Sequence, residues 1–221
     1  MTLSEMFSNP FIAGVIFKAL IVGTLVSLCA ALLGVSLVLK RCSMIGDGLS
    51  HVGFGTMALA TVVGLSSNFS LVVSIPIVIV AAWFLLRISE NSKIKGDAAI
   101  GLLSTSAIAV GVILYNYSSG MTTDVCNSMF GSSSVLMLNN SDLILSIVLS
   151  CVVLGLYALC YNKIFVVTFD ENFASASGVN SQRYKTLISI LTAVTVVLGM
   201  KMLGAIMISA LIIFPALTAM R

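Results

Sequence analysis

The constraint that dominates this chain is a series of apolar runs, each about 20 residues long, separated by short polar stretches. A run of that length matches the ~30 Å hydrocarbon core of a bilayer at a rise of about 1.5 Å per residue. Inside lipid every backbone amide must be satisfied by the protein itself. A spanning segment is therefore a helix or a strand of a closed barrel. These runs lack the strict apolar–polar alternation of barrel strands. Charged residues make up only 9% of the sequence and hydrophobic residues 59%, with a mean hydropathy of +1.14. A soluble domain carries about 25% charged residues. The fold class that follows is all-α: a polytopic integral membrane protein, with residues 1–221 forming a single transmembrane domain.

The pattern predicts about seven transmembrane helices, over residues 19–39, 46–63, 69–86, 98–115, 143–161, 186–200 and 202–220. Residues 1–18, with Phe7, Phe11, Ile12 and Phe17, read as an interfacial lead-in. Residues 116–141 are polar, rich in Ser, Asn and Gly, and contain no Lys or Arg; residues 163–185 form a charged polar loop. Basic residues set the orientation. If the loop after the first span is cytoplasmic, Lys40, Arg41, Arg87, Lys93, Lys95, Lys163, Arg183, Lys185 and Arg221 lie inside, and only Lys18 and Lys201 lie outside. The N-terminus and residues 116–141 then face outward. The net charge of +3 is dispersed, so no nucleic-acid partner is expected. The five cysteines show no C-x-x-C spacing and imply no disulfide framework.

One stretch carries chemistry. Gly46-Asp47-Gly48-Leu49-Ser50-His51 opens the second span and holds the only histidine of the chain. Asp47 and His51 are four apart, so a helix places them on one face, one turn from each other. A carboxylate and an imidazole together suit a divalent metal such as zinc, iron or manganese. The alternative is a buried ion pair or a satisfied core histidine. Intramembrane ionisable groups usually mark a transport path, which favours the functional reading. His51 lies ten positions beyond Arg41, about 15 Å by helical rise, near the depth at which transporters hold substrate. Gly46, Gly48, Gly53 and Gly55 permit close approach of another helix or a second chain.

A second stretch, Phe169 to Gly178, reads as a short helix outside the spans. Asp170 would cap it, Glu171 would suit its positive end, and Gly178 would close it. The chain has no G-x-x-x-x-G-K-[ST], so it has no P-loop for ATP.

Four stretches, in order, resemble the ABC-transporter permeases that import zinc, manganese or iron. They are RCSMIGDGLSH (41–51), DVCNSMFG (124–131), FDENFASASG (169–178) and MLGAIMISALIIFPALTAM (202–220). The resemblance implies a pore built from two copies or two related chains, with Asp47 and His51 of each facing one transported ion across a two-fold axis. It implies that 163–185 is a cytoplasmic coupling loop, whose Asp170, Glu171, Ala174 and Gly178 dock an ATPase. The implied partners are a cytoplasmic ATP-binding subunit, an extracytoplasmic metal-binding protein, a second permease chain and the lipid of a bacterial inner membrane. Residues 116–141 would form an outer gate and landing site. No permanently bound cofactor is implied; the metal is cargo, and ATP hydrolysis belongs to the separate subunit. Such permeases usually continue with at least one more helix after the last matched stretch. The competing readings are an ion-driven secondary metal transporter and a truncated non-transporting membrane subunit. The first calls for further intramembrane acids, yet apart from Asp47 the acids fall in loops or at span ends.

Overall fold

The computed structural model describes residues 10–40, 44–64, 67–91, 96–117, 126, 129–131 and 140–219. Among them eight helices form and no strand does: α1 (Pro10–Leu39), α2 (Met44–Val62), α3 (Ser67–Asn91), α4 (Gly96–Tyr117), α5 (Asn140–Phe169), α6 (Glu171–Ala176), α7 (Ser181–Leu203) and α8 (Ala205–Ala219). Seven are long and one has six residues. Five of the long ones, α1, α3, α4, α5 and α7, are long and apolar enough to cross a membrane. The fold is the multi-pass all-α bundle expected from the apolar runs.

Several helices extend beyond their expected ends. α1 begins at Pro10, so residues 10–18 continue the first helix instead of forming a separate lead-in. Residues 1–9 lie outside the described set, as do Arg41, Cys42, Ser43 and most of 116–141. α5 runs on to Phe169, eight residues past the expected end. Its buried face carries on through Ile164 and Val167, spaced three apart. A ladder of rings, Tyr157, Tyr161, Phe165 and Phe169, continues at four-residue spacing with centroids 4.5–6.1 Å apart. A single charge at Lys163 does not outweigh that packing. The expected loop 163–185 thus holds the end of α5, all of α6 and the start of α7.

α7 is the hub. It packs against α1, α2, α3, α5, α6 and α8, and about two thirds of its apolar window is buried. Its Thr192 and Thr195 return their hydroxyls to the carbonyls of Ile188 and Leu191, so buried polar groups cost little. α2 is the other inner helix: 13 of its 19 residues are buried. It is less apolar than the spans around it because its surroundings are protein, and small residues let those neighbours close in. A Cβ on Gly48 would come within 2.7 Å of Ile100 in α4, and one on Gly55 within 3.2 Å of the Ala107 carbonyl. Phe54 fills the space above them against Tyr115 of α4, centroids 5.4 Å apart. Gly46 meets Ile212 of α8 and Gly53 meets Met200 of α7. All four glycines of this stretch therefore serve packing within the chain.

α1 crosses α8 just as closely. A Cβ on Gly34 would run into the carbonyl oxygen of Ile212. Gly34→Ala is expected to cost about 1–3 kcal/mol, since the obstacle is backbone and has no rotamer to yield. Thermal unfolding of the detergent-purified protein should show a lowered Tm; an unchanged Tm would place the two helices further apart.

Candidate metal site

Asp47 and His51 occupy the first two turns of α2, and the helix brings them together as their spacing predicts. His51 Nε2 stands 3.5 Å from Asp47 Oδ1. Their surroundings differ: the Asp47 side chain is 46% exposed and that of His51 only 11%. The carboxylate thus forms the open edge of the site and the imidazole its back wall. Counting helical rise from Met44, His51 lies about 10 Å into α2.

One nitrogen of the imidazole faces Asp47 and the other has no role in the fold. Among the described residues, buried His51 Nδ1 has no hydrogen-bond partner. A histidine kept for packing alone normally satisfies both nitrogens, because an unpaired buried polar atom costs about 1–3 kcal/mol. Geometry points the same way. With bonds of about 2.1 Å to one ion, the 3.5 Å separation of Nε2 and Oδ1 subtends roughly 110° at the metal. That is close to a tetrahedral angle. No group of three His, Cys, Asp or Glu side chains gathers among the described residues. One chain thus offers two such ligands, and a full shell needs hydroxyls, waters or another chain.

Two serines, which sequence reasoning missed, stand beside the pair. Ser50 donates its hydroxyl to the Asp47 carbonyl at 2.7 Å, and lies 3.1 Å from the hydroxyl of Ser209 in α8. Ser209 is 159 positions from Ser50 in the chain, so no local signal could have joined them.

In the stretch 169–178 the helix cap and the closing turn form as the sequence predicts. Asp170 caps α6, accepting from the backbone N–H of Asn172 and of Phe173, each at 3.0 Å. Gly178 adopts φ +78° and donates to the Ser175 carbonyl, while Val179 donates to that of Ala174. This left-handed turn is what glycine permits. Glu171 pairs with Lys185 of α7 at 2.5 Å and accepts from Ser181. Ala174 is fully buried, so its methyl seats α6 on the bundle and does not present itself to a partner. The large side chain that α6 does present is Phe173, 61% exposed. The aromatic was visible in the sequence, but its direction was not. Asp47–His51 and Asp170–Gly178 lie on separate helices, α2 and the α6 segment, each of which packs against α7.

Known proteins match this chain over nearly all of its length. The model of the ABC 3 transport family matches residues 13–221. The chain is 30% identical to the high-affinity zinc uptake system membrane protein ZnuB of Haemophilus influenzae, over 94% of this chain and 77% of that one. It is also 30% identical to the manganese transport system membrane protein MntC of Listeria monocytogenes, over 91% of this chain and 70% of that one. Among solved structures it resembles PsaBC from Streptococcus pneumoniae in complex with Fab, with a TM-score of 0.81 at 29% identity, covering 99% of this chain and 77% of that one. With a match across nearly all its residues and the same bundle of helices, the chain belongs to the ABC 3 transport family as a multi-pass membrane permease.

Proposed function

We propose that this chain is the pore subunit of an ATP-driven importer of divalent metal, zinc or manganese, in a bacterial inner membrane. The observation that carries it is the Asp47–His51 pair: a half-open carboxylate 3.5 Å from the Nε2 of a buried imidazole, the biting distance of one ion. The two relatives described above are a zinc and a manganese system. A single Asp47 leaves a doubly charged ion with one excess charge. Two copies of this chain, or this chain and a related one, facing each other across a two-fold axis bring two carboxylates and two imidazoles. That set cancels the charge and completes four nitrogen and oxygen ligands, the number zinc prefers; manganese would add water.

Because the chain has no P-loop, ATP is hydrolysed by a cytoplasmic partner docked at α6. Asp170 and Gly178 shape that helix, Glu171 and Ala174 fix it to the bundle, and Phe173 contacts the partner. The basic residues place α6 inside. The opposite end, including residues 116–141, would receive an extracytoplasmic metal-binding protein.

Vesicles containing the permease with its ATP-binding partner test this reading. Uptake of Mn2+ or Zn2+ is expected only with ATP, and the two ions should compete. Uptake without the partner or ATP would indicate an ion-driven carrier. No uptake under any condition would indicate a non-transporting subunit.

A further inference from the structure

A cavity of about 300 Å³ opens at the end of the bundle that holds α6. The ends of α1 and α5, the starts of α2 and α7, and α6 itself meet around it. Leu37, Ile45, Val167 and Ile188 give it apolar walls. Two ammonium groups, Lys40 and Lys185, line it against one carboxylate, Glu171, which pairs with Lys185. The lining therefore carries one net positive charge. Ser189 of α7 also lines it. That residue is 4% exposed, and among the described residues its hydroxyl has no hydrogen-bond partner. Further along the same helix, Thr192 and Thr195 return their hydroxyls to the carbonyl four residues back; Ser189 does not. A buried hydroxyl without a partner is costly, so one that lines a cavity is best explained by something that enters the cavity. The rim includes Phe169, which is 62% exposed. One turn back along α5, the exposed ring of Phe165 lies 4.5 Å from it, so an apolar track leads from the cavity along a membrane-spanning helix.

We propose that this cavity binds the headgroup of an anionic phospholipid, with the phosphodiester at Lys40, Lys185 and Ser189 and an acyl chain along Phe169 and Phe165. A phosphodiester carries one negative charge and only acceptor oxygens. Ammonium groups and a serine hydroxyl are the donors that match it, and bonds to a charged oxygen are the strong ones. The walls select a lipid over a soluble anion. A free phosphate would meet hydrocarbon on most sides, whereas a lipid sets its glycerol and chain there. The distribution of basic residues puts this end at the cytoplasmic surface, where anionic lipids gather around Lys and Arg. The inference needs only that orientation and is independent of the metal site. A headgroup seated here bridges the ends of α1, α5 and α7, so it stabilises the bundle by mass action.

The test follows thermal unfolding of the detergent-purified chain against rising dioctanoyl phosphatidylglycerol. Dioctanoyl phosphatidylcholine and inorganic phosphate form separate arms. Phosphatidylglycerol is expected to raise Tm in a saturable way, phosphatidylcholine to raise it far less, and inorganic phosphate to leave it unchanged. Ser189→Ala is expected to weaken the apparent Kd for phosphatidylglycerol roughly tenfold, the scale of one hydrogen bond to a charged group. Without lipid its Tm should match or exceed that of the wild type, because the fold loses only an unpaired hydroxyl. Lys40→Gln is expected to weaken the Kd at least as much. Lys18→Gln, near the other end of α1, should leave it unchanged and so controls for general attraction of anions. An unchanged Kd in Ser189→Ala would overturn the proposal, as would a lowered lipid-free Tm in that variant, which would give the hydroxyl to the fold. Equal shifts with phosphatidylcholine, or equal weakening in Lys18→Gln, would also overturn it. Inorganic phosphate that raised Tm and competed with the lipid would reassign the cavity to a soluble anion and end the lipid reading.

Discussion

Asp47→Ala is expected to abolish metal uptake while the bundle stays assembled, and His51→Ala to do the same. A divalent cation entering a region of low dielectric loses hydration that only close opposite charge and ligand atoms replace. Asp47 supplies the charge, and His51 its Nε2, 3.5 Å from that carboxylate. Loss of a residue one shell removed from a metal already costs about 10–100-fold in affinity or activity, so loss of a ligand should exceed about a hundredfold. Folding should suffer little at Asp47, whose side chain is half exposed. His51→Ala opens a gap in the wall of α2, so Asp47→Asn is the more informative companion. It keeps the volume and one oxygen and removes only the charge. Uptake of Mn2+ and Zn2+, read beside the elution profile of the purified protein, measures both effects. Wild-type uptake in Asp47→Ala and His51→Ala together would remove the site from the permeation route.

What the sequence reveals at these sites is what is local. Asp47 and His51 are four apart, and a helix alone brings them together. Asp170 and Gly178 bracket α6, and their roles follow from backbone chemistry within a few residues. Ser209 reaches Ser50 only because α8 packs back on α2, and the order of the chain does not encode that crossing. Hydropathy separates lipid from water, so it delimits the outer helices well. It cannot show that α2 and α7 lie inside, where a neighbouring helix replaces lipid and glycine or threonine is tolerated. For the same reason the first and fifth helices run past their expected ends: Lys18 and Lys163 read as boundaries, yet each sits where the helix has reason to continue. Lys18 donates to Asn140 of α5 at 2.6 Å, and Lys163 lies over the Tyr184 ring, 5.8 Å from its centroid. The direction of Phe173 and the burial of Ala174 depend on how α6 seats on the bundle, which composition does not specify.

Phe173→Ala is expected to release the ATP-binding partner while leaving the metal site intact. Exposed aromatics that fill a partner's pocket commonly contribute 2 kcal/mol or more, which is about thirtyfold in affinity. Phe173 has the exposure for that role, and its backbone is anchored on both sides. Its N–H is held by Asp170, its carbonyl accepts from Ser177, and the chain leaves α6 through the Gly178 turn. Motion imposed on the ring therefore travels to α5 through the cap and to α7 through Glu171–Lys185. From α7 it reaches α2 where Met200 meets Gly53. A cavity of about 300 Å³, lined in part by Glu171, Lys185, Ile45 and Leu37, lies beside this link. Two variants divide binding from transmission. Phe173→Ala should lose the partner on co-purification, and uptake should fall with it. Glu171→Gln should retain the partner and its ATP hydrolysis but transport less metal per ATP, because the tie to α7 is weakened. Co-purification at full yield with Phe173→Ala would move the docking surface elsewhere. Unchanged coupling with Glu171→Gln would mean that force passes through the Asp170 cap and α5 alone.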